Sequence, residues 1–192
     1  IQTERTAIIT EGYTDTIACH QAGVCNVVAT LGTALTRKHA TVLRRLCDTV
    51  VLLFDGDDAG QRAADRAVEV FFAEEIDVKI ATLSSVTDAK DPDELLKRDD
   101  GVEVLRSAIA RAVDLLEYRY ARVRERLSGA GMSALDRAVE DDLKRLVELG
   151  FDRVPLRRRM LIVKRISALT GLNERVIAAT IPAGRSQAQF GR

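Results

Sequence analysis

The strongest chemical signal in the sequence is a pair of aspartates that directly follows an apolar run. Residues 50–54 read Val-Val-Leu-Leu-Phe, and Asp55, Gly56 and Asp57 come next. Five consecutive apolar residues predict a strand buried on both faces, as in a parallel sheet. Such sheets bind ligands at the carboxyl ends of their strands, and paired carboxylates suit a hard divalent cation such as Mg²⁺. Taken alone, these residues are more commonly a turn that caps the next helix.

Other carboxylates occupy matching places elsewhere in the chain. Glu11 follows an apolar segment that ends at Thr10, while Asp91 and Asp93 open a helix after a later strand. If these strand ends are neighbours, five carboxylates from three segments converge on one edge. Their mutual repulsion is unfavourable unless cations neutralise it. The pattern therefore predicts a metal site, with Asp58 left as a helix cap.

The elements that must position these residues alternate between strand and helix over the first hundred residues. This alternation predicts an α/β fold with a parallel sheet and right-handed crossovers. The predicted strands are Thr6–Thr10, Asn26–Ala29, Thr49–Phe54 and Val78–Leu83, and the predicted helices are Thr16–Ala22, Thr36–Cys47 and Ala59–Glu75. The alternating pattern of Val78–Leu83 places it closer to a sheet edge, and Pro92 suits the first turn of a further helix.

From residue 101 onward the pattern is helical and predicts a small bundle. The predicted helices are Val102–Leu127 (one helix or two), Ser133–Leu149, Pro155–Leu169 and Asn173–Ile181. We therefore expect a metal-binding domain over residues 1–112, a helical subdomain over 113–182 and a disordered tail or linker over 183–192.

Composition argues against a membrane-spanning protein, a disulfide framework and a zinc site. Hydrophobic residues make up 46% of the 192 residues, enough for a core, and no apolar run is long enough to span a membrane. The three cysteines show no paired spacing, which argues against a disulfide framework or zinc site and fits a reducing cytoplasm. The chain begins without a methionine or a signal peptide, so we expect a piece of a longer protein.

The two halves of the chain carry opposite charge. Residues 1–100 hold 11 Lys or Arg and 18 Asp or Glu, and residues 101–192 hold 18 and 11. An acidic half that binds cations and a basic half that meets a polyanion would explain the asymmetry. Solvated arginine faces on the helices would explain it nearly as well.

Five motifs in order resemble the Toprim domain of bacterial replicative DNA primases. They are Glu11-Gly12-Tyr13-Thr14-Asp15, His20-Gln21-Ala22-Gly23, Ala29 to Thr36, Phe54-Asp55-Gly56-Asp57 with Ala59-Gly60, and Lys90-Asp91-Pro92-Asp93-Glu94. The resemblance covers residues 6–100 closely and the helical part more loosely. It implies a Toprim-type, Rossmann-like sheet flanked by helices and followed by a small helical bundle.

The resemblance also implies site residues. Glu11, Asp55 and Asp57 would be catalytic, and the metal ligands for Mg²⁺ or Mn²⁺ would be Glu11, Asp55, Asp57, Asp91 and Asp93. Asp15 would support the site from behind these ligands. One departure is that Gln61, and not a basic residue, follows Ala59-Gly60, with Arg62 one position later.

The function implied is synthesis of short RNA primers from ribonucleoside triphosphates on a single-stranded DNA template. The implied partners are that template, the nucleotides, the RNA primer and the replicative helicase, the last through a domain not included here. The expected location is the bacterial cytoplasm at the replication fork, with no membrane partner. A fragment without the family's zinc module and basic subdomain would hold metal yet show little activity alone. Two alternatives are another Toprim enzyme, a nuclease or topoisomerase, and a non-catalytic interaction module.

Overall fold

The chain divides into two compact units, residues 1–118 and 119–192. The computed structural model describes residues 1, 3–30, 35–54, 65–68, 72, 74, 76–129 and 131–181. The predicted domain limits at residues 112 and 182 stay predictions, and the predicted tail over 183–192 lies outside the described residues.

The first unit is built on a five-stranded sheet with the strand order β2-β1-β3-β4-β5. Its strands are β1 (Thr6–Thr10), β2 (Val27–Ala29), β3 (Thr49–Phe54), β4 (Asp77–Thr82) and β5 (Val113–Asp114). The pairs β1–β2, β1–β3 and β3–β4 are parallel, and β4–β5 is antiparallel. The predicted α/β class, with a mainly parallel sheet flanked by helices, is confirmed.

The short strand β5 corrects the sequence prediction in one place. The pattern over Val102–Leu127 predicts one helix or two, and the structure has two, but between them Val113 pairs with Ile80 and Asp114 with Lys79 in β4. Two residues are too short to show strand periodicity, so the sequence pattern hides them. The pairing also puts β4 inside the sheet, with β5 as the edge.

The helices of the first unit cover the sheet. They are α1 (Tyr13–Gln21), α2 (Arg37–Leu46), α3 (Pro92–Leu95) and α4 (Gly101–Ala110), and α5 (Leu115–Arg126) crosses the boundary between the units. Residues 65–68 are also helical, within the predicted helix Ala59–Glu75, whose other residues are largely outside the described part. The core joins Ile8, Val51 and Leu53 of the sheet to Leu95 and Leu105 of the helices. Burial of each such side chain stabilises the fold by roughly 1.5–3 kcal/mol.

The second unit is helical, as predicted. With the end of α5 it contains α6 (Met132–Glu148), α7 (Leu156–Thr170) and α8 (Glu174–Thr180), each within one residue of its predicted bounds. Leu143, Leu146 and Ile166 form its buried centre. Gly171 ends α7 with a φ of +75°, a conformation that favours glycine. Among the described residues no helix is long and apolar enough to cross a bilayer.

Candidate metal centre

Parallel pairing brings the carboxyl ends of three strands to one edge of the sheet. In the register, Ile9 of β1 lies beside Leu52 of β3, and Phe54 of β3 lies beside Thr82 of β4. Glu11 follows the end of β1 directly. Asp55 and Asp57 follow β3 in the sequence, and both lie outside the described residues.

The turn between β1 and α1 is braced by two threonines. The hydroxyl of Thr10, only 2% exposed, lies 2.9 Å from the hydroxyl of Thr16, which also donates to the Gly12 carbonyl at 3.4 Å. These bonds hold the backbone that carries Glu11. The Glu11 side chain itself is exposed, and within the described part of the chain no hydrogen bond or ion pair engages its carboxylate. Its oxygens are therefore available to a ligand.

Asp15 connects this turn to the start of α3. Asp15 is 8% exposed, and its carboxylate accepts a hydrogen bond from the Gly12 N–H at 3.2 Å. Burial raises the pKa of the Asp15 carboxyl, and the negative charge of Asp91 raises it further. The backbone N–H groups of Asp93 and Gly12 act in the opposite direction by favouring the charged form. Asp15 thus lies between the Glu11 turn and the Asp91–Asp93 segment, in keeping with the packing of α1 on α3.

Gly12 is required by close approach to Asp15 and not by its backbone angles. A Cβ atom at position 12 would lie 2.6 Å from Asp15 Oδ2, while its next neighbours would be 3.4 Å away or more. The φ of Gly12 is −96°, which any residue adopts. The turn therefore tolerates no side chain as long as Asp15 holds its place.

Asp91 and Asp93 have local partners. Asp91 Oδ1 accepts a hydrogen bond from the Glu94 N–H at 2.7 Å and so caps α3, with Pro92 in the first turn as predicted. Asp93 pairs with Lys97 one helical turn later at 2.6 Å. This carboxylate raises the pKa of Lys97 by hydrogen bonding and by charge.

The short helix α3 is held in position by α4. A Cβ atom at Gly101 would lie 2.2 Å from the carbonyl oxygen of Leu95. The absence of a side chain at Gly101 lets the start of α4 touch the end of α3. Leu95 itself is completely buried, so α3 is anchored at its carboxyl end, while Asp91 caps its amino end.

Asp15 therefore links the turn that carries Glu11 to the segment that carries Asp91 and Asp93. In the described part of the chain no three His, Cys, Asp or Glu side chains are grouped so that they could hold a metal ion. The five-carboxylate site, which includes Asp55 and Asp57, stays a prediction. Lys97 was missed at the sequence level, although its place four residues after Asp93 is typical of an ion pair on a helix.

The two histidines and Cys19 have structural surroundings of their own. His20 Nε2 lies 2.9 Å from the Val27 carbonyl, and His39 Nδ1 accepts from the Thr36 N–H at 3.3 Å at the start of α2. Thr36 caps α2 as predicted, since its Oγ1 accepts from the His39 N–H at 3.3 Å. Burial raises the pKa of the Cys19 thiol to about 11, so this side chain is a neutral part of the core.

Comparison with known proteins defines the class of the first unit. Residues 8–96 match the family described as Toprim-like. This range runs from the middle of β1 to just past α3, and it contains all five predicted metal ligands.

The wider chain is similar to DNA primases. It is 37% identical over 172 residues to a DNA primase from Clostridium acetobutylicum, covering 90% of this chain and 27% of that protein. A DNA primase from Aquifex aeolicus is 38% identical over 127 residues, 66% of this chain and 25% of that protein. The chain thus spans about a quarter of the length of these relatives.

Solved structures agree over both units. The crystal structure of a DNA primase domain from Pseudomonas aeruginosa superposes with a TM-score of 0.73 at 30% identity, covering 92% of this chain and 54% of that one. The RNA polymerase domain of the Mycobacterium tuberculosis primase, solved with a double-stranded DNA oligomer that has a 6-nucleotide overhang, gives a TM-score of 0.62 at 28% identity, with 89% and 53% covered. The chain therefore carries a Toprim-like domain over residues 8–96 and is similar to bacterial DNA primases over both units.

Proposed function

We propose that this chain is the metal-binding part of the catalytic core of a primase. The core would synthesise short RNA primers from ribonucleoside triphosphates on single-stranded DNA by nucleotidyl transfer. The observation that carries the proposal is the braced turn after β1: it carries the exposed Glu11 carboxylate, and Asp15 links the same turn to the start of α3. The similarity to primases supplies the reaction class.

The donor set fits Mg²⁺ or Mn²⁺. The proposed ligands Glu11, Asp55, Asp57, Asp91 and Asp93 offer only carboxylate oxygens, which hard divalent cations prefer. The charge of Asp91 already raises the pKa of Asp15, so negative charge is concentrated here and a cation would relieve it. When bound, such ions would supply activation of a 3′-hydroxyl and stabilisation of the pyrophosphate leaving group.

The residues of the proposed site would have three different roles. Glu11, Asp55 and Asp57 are the proposed catalytic carboxylates, and the Thr10–Thr16 contact fixes the turn that carries the first of them. Asp15 is a positioning residue, because it acts through the backbone of Gly12 and the start of α3. Lys97 serves as a local counter-ion for Asp93 and would compete with a metal ion for that carboxylate.

The DNA template, the nucleotides and the RNA primer are proposed partners. The excess of basic residues after residue 100 supports contact with a polyanion, and the Mycobacterium tuberculosis relative was solved with DNA. Contact with a replicative helicase, and a cytoplasmic site at the replication fork, follow from the same family proposal. We also retain residues 1–112 and 113–182 as the proposed metal-binding and helical domains.

Titration with Mn²⁺ by isothermal calorimetry tests the proposal. We expect Glu11→Gln to weaken Mn²⁺ binding at least tenfold, because it removes a charged ligand. Glu4→Gln is the matched control, because Glu4 is also exposed but precedes β1 at the opposite edge of the sheet, roughly 15–20 Å away at about 3.3 Å per residue.

Two results would count against the proposal. Equal Mn²⁺ affinity in both variants would remove Glu11 from the site, and absence of millimolar Mn²⁺ binding in the unmodified chain would favour an interaction module. Nicking of supercoiled DNA by the chain with Mn²⁺ alone would instead indicate a nuclease or topoisomerase.

A further inference from the structure

Helix α7 presents large apolar side chains to solvent outside its core contacts. Val163 and Ile166 are buried, whereas Leu156, Met160 and Leu161 are 66%, 64% and 61% exposed. At about 100° per residue, the three exposed side chains fall within an arc of about 140°, with Leu156 at its border with buried Val163 and Leu161 farthest from that residue. Single exposed apolar residues are ordinary, whereas three on one part of a helix form an apolar patch that is typical of an interaction site.

The same side of α7 carries positive charge. Arg157 and Lys164 are exposed there, and with Leu156, Met160 and Leu161 they define what we term the outer face of α7. From residue 153 to residue 173 the chain contains six Lys or Arg and no Asp or Glu.

In the described part of the chain, Arg157 and Lys164 lack the acidic partners that neutralise basic residues on α6. On α6, Lys144 pairs with Glu140 at 2.8 Å and Arg145 pairs with Glu148 at 2.8 Å. Within the described ranges, Arg157 and Lys164 have no ion pair. The outer face of α7 therefore combines unneutralised positive charge with an apolar centre.

We propose that the outer face of α7 is a docking surface for a protein partner that presents an acidic amphipathic helix. Protein interfaces have an apolar centre and a polar rim, and along the helix axis Met160 and Leu161 lie between Arg157 and Lys164. Helix α7 has 15 residues and is about 22 Å long, so it matches a partner helix of three to four turns. Asp or Glu residues flanking the partner's apolar stripe would meet the two cations.

The side chains favour a protein over a nucleic acid. Phosphates would pair with Arg157 and Lys164 but would offer no apolar surface to the exposed side chains of Leu156, Met160 and Leu161. Unpaired bases stack on aromatic rings, and the outer face of α7 carries none. This surface lies in the second unit, and its proposed role does not depend on the metal centre or on primer synthesis.

Peptide binding to the full 192-residue chain tests the proposal. The probe is a fluorescein-labelled 18-residue helical peptide with Leu in an i, i+3, i+4, i+7 stripe flanked by Glu, measured by anisotropy at 0.15 M salt. We expect binding that weakens about tenfold in Leu161→Gln, because the variant removes apolar burial at the centre. Val176→Gln is the matched control, an equally polar change at a 52% exposed apolar residue of α8, and should bind as the unmodified chain does.

A second variant and competing ligands make the outcome decisive. Arg157→Glu should also weaken binding of the acidic peptide and should permit binding of a peptide with Lys in place of Glu. Met160→Gln serves if circular dichroism shows that Leu161→Gln has lost helical content. Unchanged peptide affinity in all three variants would overturn the proposal, as would failure of the peptide to bind. Tighter, Leu161-dependent binding of a 20-nucleotide single strand or of anionic vesicles, or a dimer abolished by Leu161→Gln, would assign the face to that partner instead.

Discussion

Substitution of Gly12 by alanine gives a quantitative prediction for the link between the two acidic segments. The added Cβ would lie 2.6 Å from Asp15 Oδ2, so the buried carboxylate must move and its hydrogen bond from the Gly12 N–H is lost. Overpacking costs about 1–3 kcal/mol and loss of a hydrogen bond to a charged group about 1.5–3 kcal/mol. Reduced entropy of the unfolded chain offsets about 0.4–1 kcal/mol. We therefore expect Gly12→Ala to destabilise the chain by about 2 kcal/mol, near the low end because a side chain can yield.

A double-mutant cycle isolates the cause. Asp15 Oδ2 is the one atom closer than 3.0 Å to the added Cβ, and Thr14 Oγ1 follows at 3.4 Å, so the cost of Gly12→Ala should fall by at least about 1 kcal/mol in an Asp15→Ala background. Urea unfolding followed by circular dichroism measures all four proteins. Gly131→Ala is the control, because nothing lies within 4 Å of its added Cβ, and its effect should stay within about 0.5 kcal/mol. An equal cost of Gly12→Ala in both backgrounds would refute the contact as the reason for the glycine.

Three further predictions concern charge. The fold raises the pKa of Asp15, so the charged form of Asp15 is disfavoured in the folded chain. The stability that Asp15 contributes is therefore greatest below pH 3.8, its ordinary pKa, and declines as pH rises through the raised folded pKa. Urea midpoints measured from pH 3.5 to 7 should decline less in Asp15→Asn, and a steeper decline in that variant would contradict the sign of the pKa shift. Lys97 pairs with the Asp93 carboxylate and would compete with a metal ion for it. Lys97→Met should therefore raise Mn²⁺ affinity about twofold by calorimetry, whereas a loss of affinity would assign Lys97 a supporting role. Arg119 and Asp142 form a buried ion pair in the second unit, so Arg119→Met alone should destabilise that unit by about 3–5 kcal/mol in urea unfolding. Adding Asp142→Leu should recover most of the lost stability, and absence of recovery would show that the ion pair is not the cause.

Much of the fold could be predicted from local patterns. The apolar runs of β1 and β3, the Thr36 cap of α2 and Pro92 in the first turn of α3 are signals within a few residues of sequence, and each was predicted correctly. The start of α1 was predicted at Thr16 but lies at Tyr13. Tyr, Thr and Asp are weak helix formers, and the hydrogen bond from Gly12 to Asp15 decides the start.

The relations that define the site are tertiary and leave weaker traces. The pairing of β5 with β4 joins residues more than thirty positions apart through only two residues. The position of Asp15 between Gly12 and Asp93 depends on the packing of α1 on α3, which a pattern of acidic residues does not specify. The strand-end positions and the sequence similarity both predict the grouping of five carboxylates, and the described structure links two of the three segments through Asp15.

The most direct test of the account is paramagnetic relaxation by Mn²⁺ in the ¹⁵N-labelled chain. At substoichiometric Mn²⁺, the amide signals of Gly12, Gly56 and Asp93 should broaden together, because one site shared by three segments places all three near the ion. The Glu4 amide, at the opposite edge of the sheet, should stay sharp. Broadening confined to one of the three segments, or spread over exposed carboxylates including Glu4, would contradict a shared metal centre.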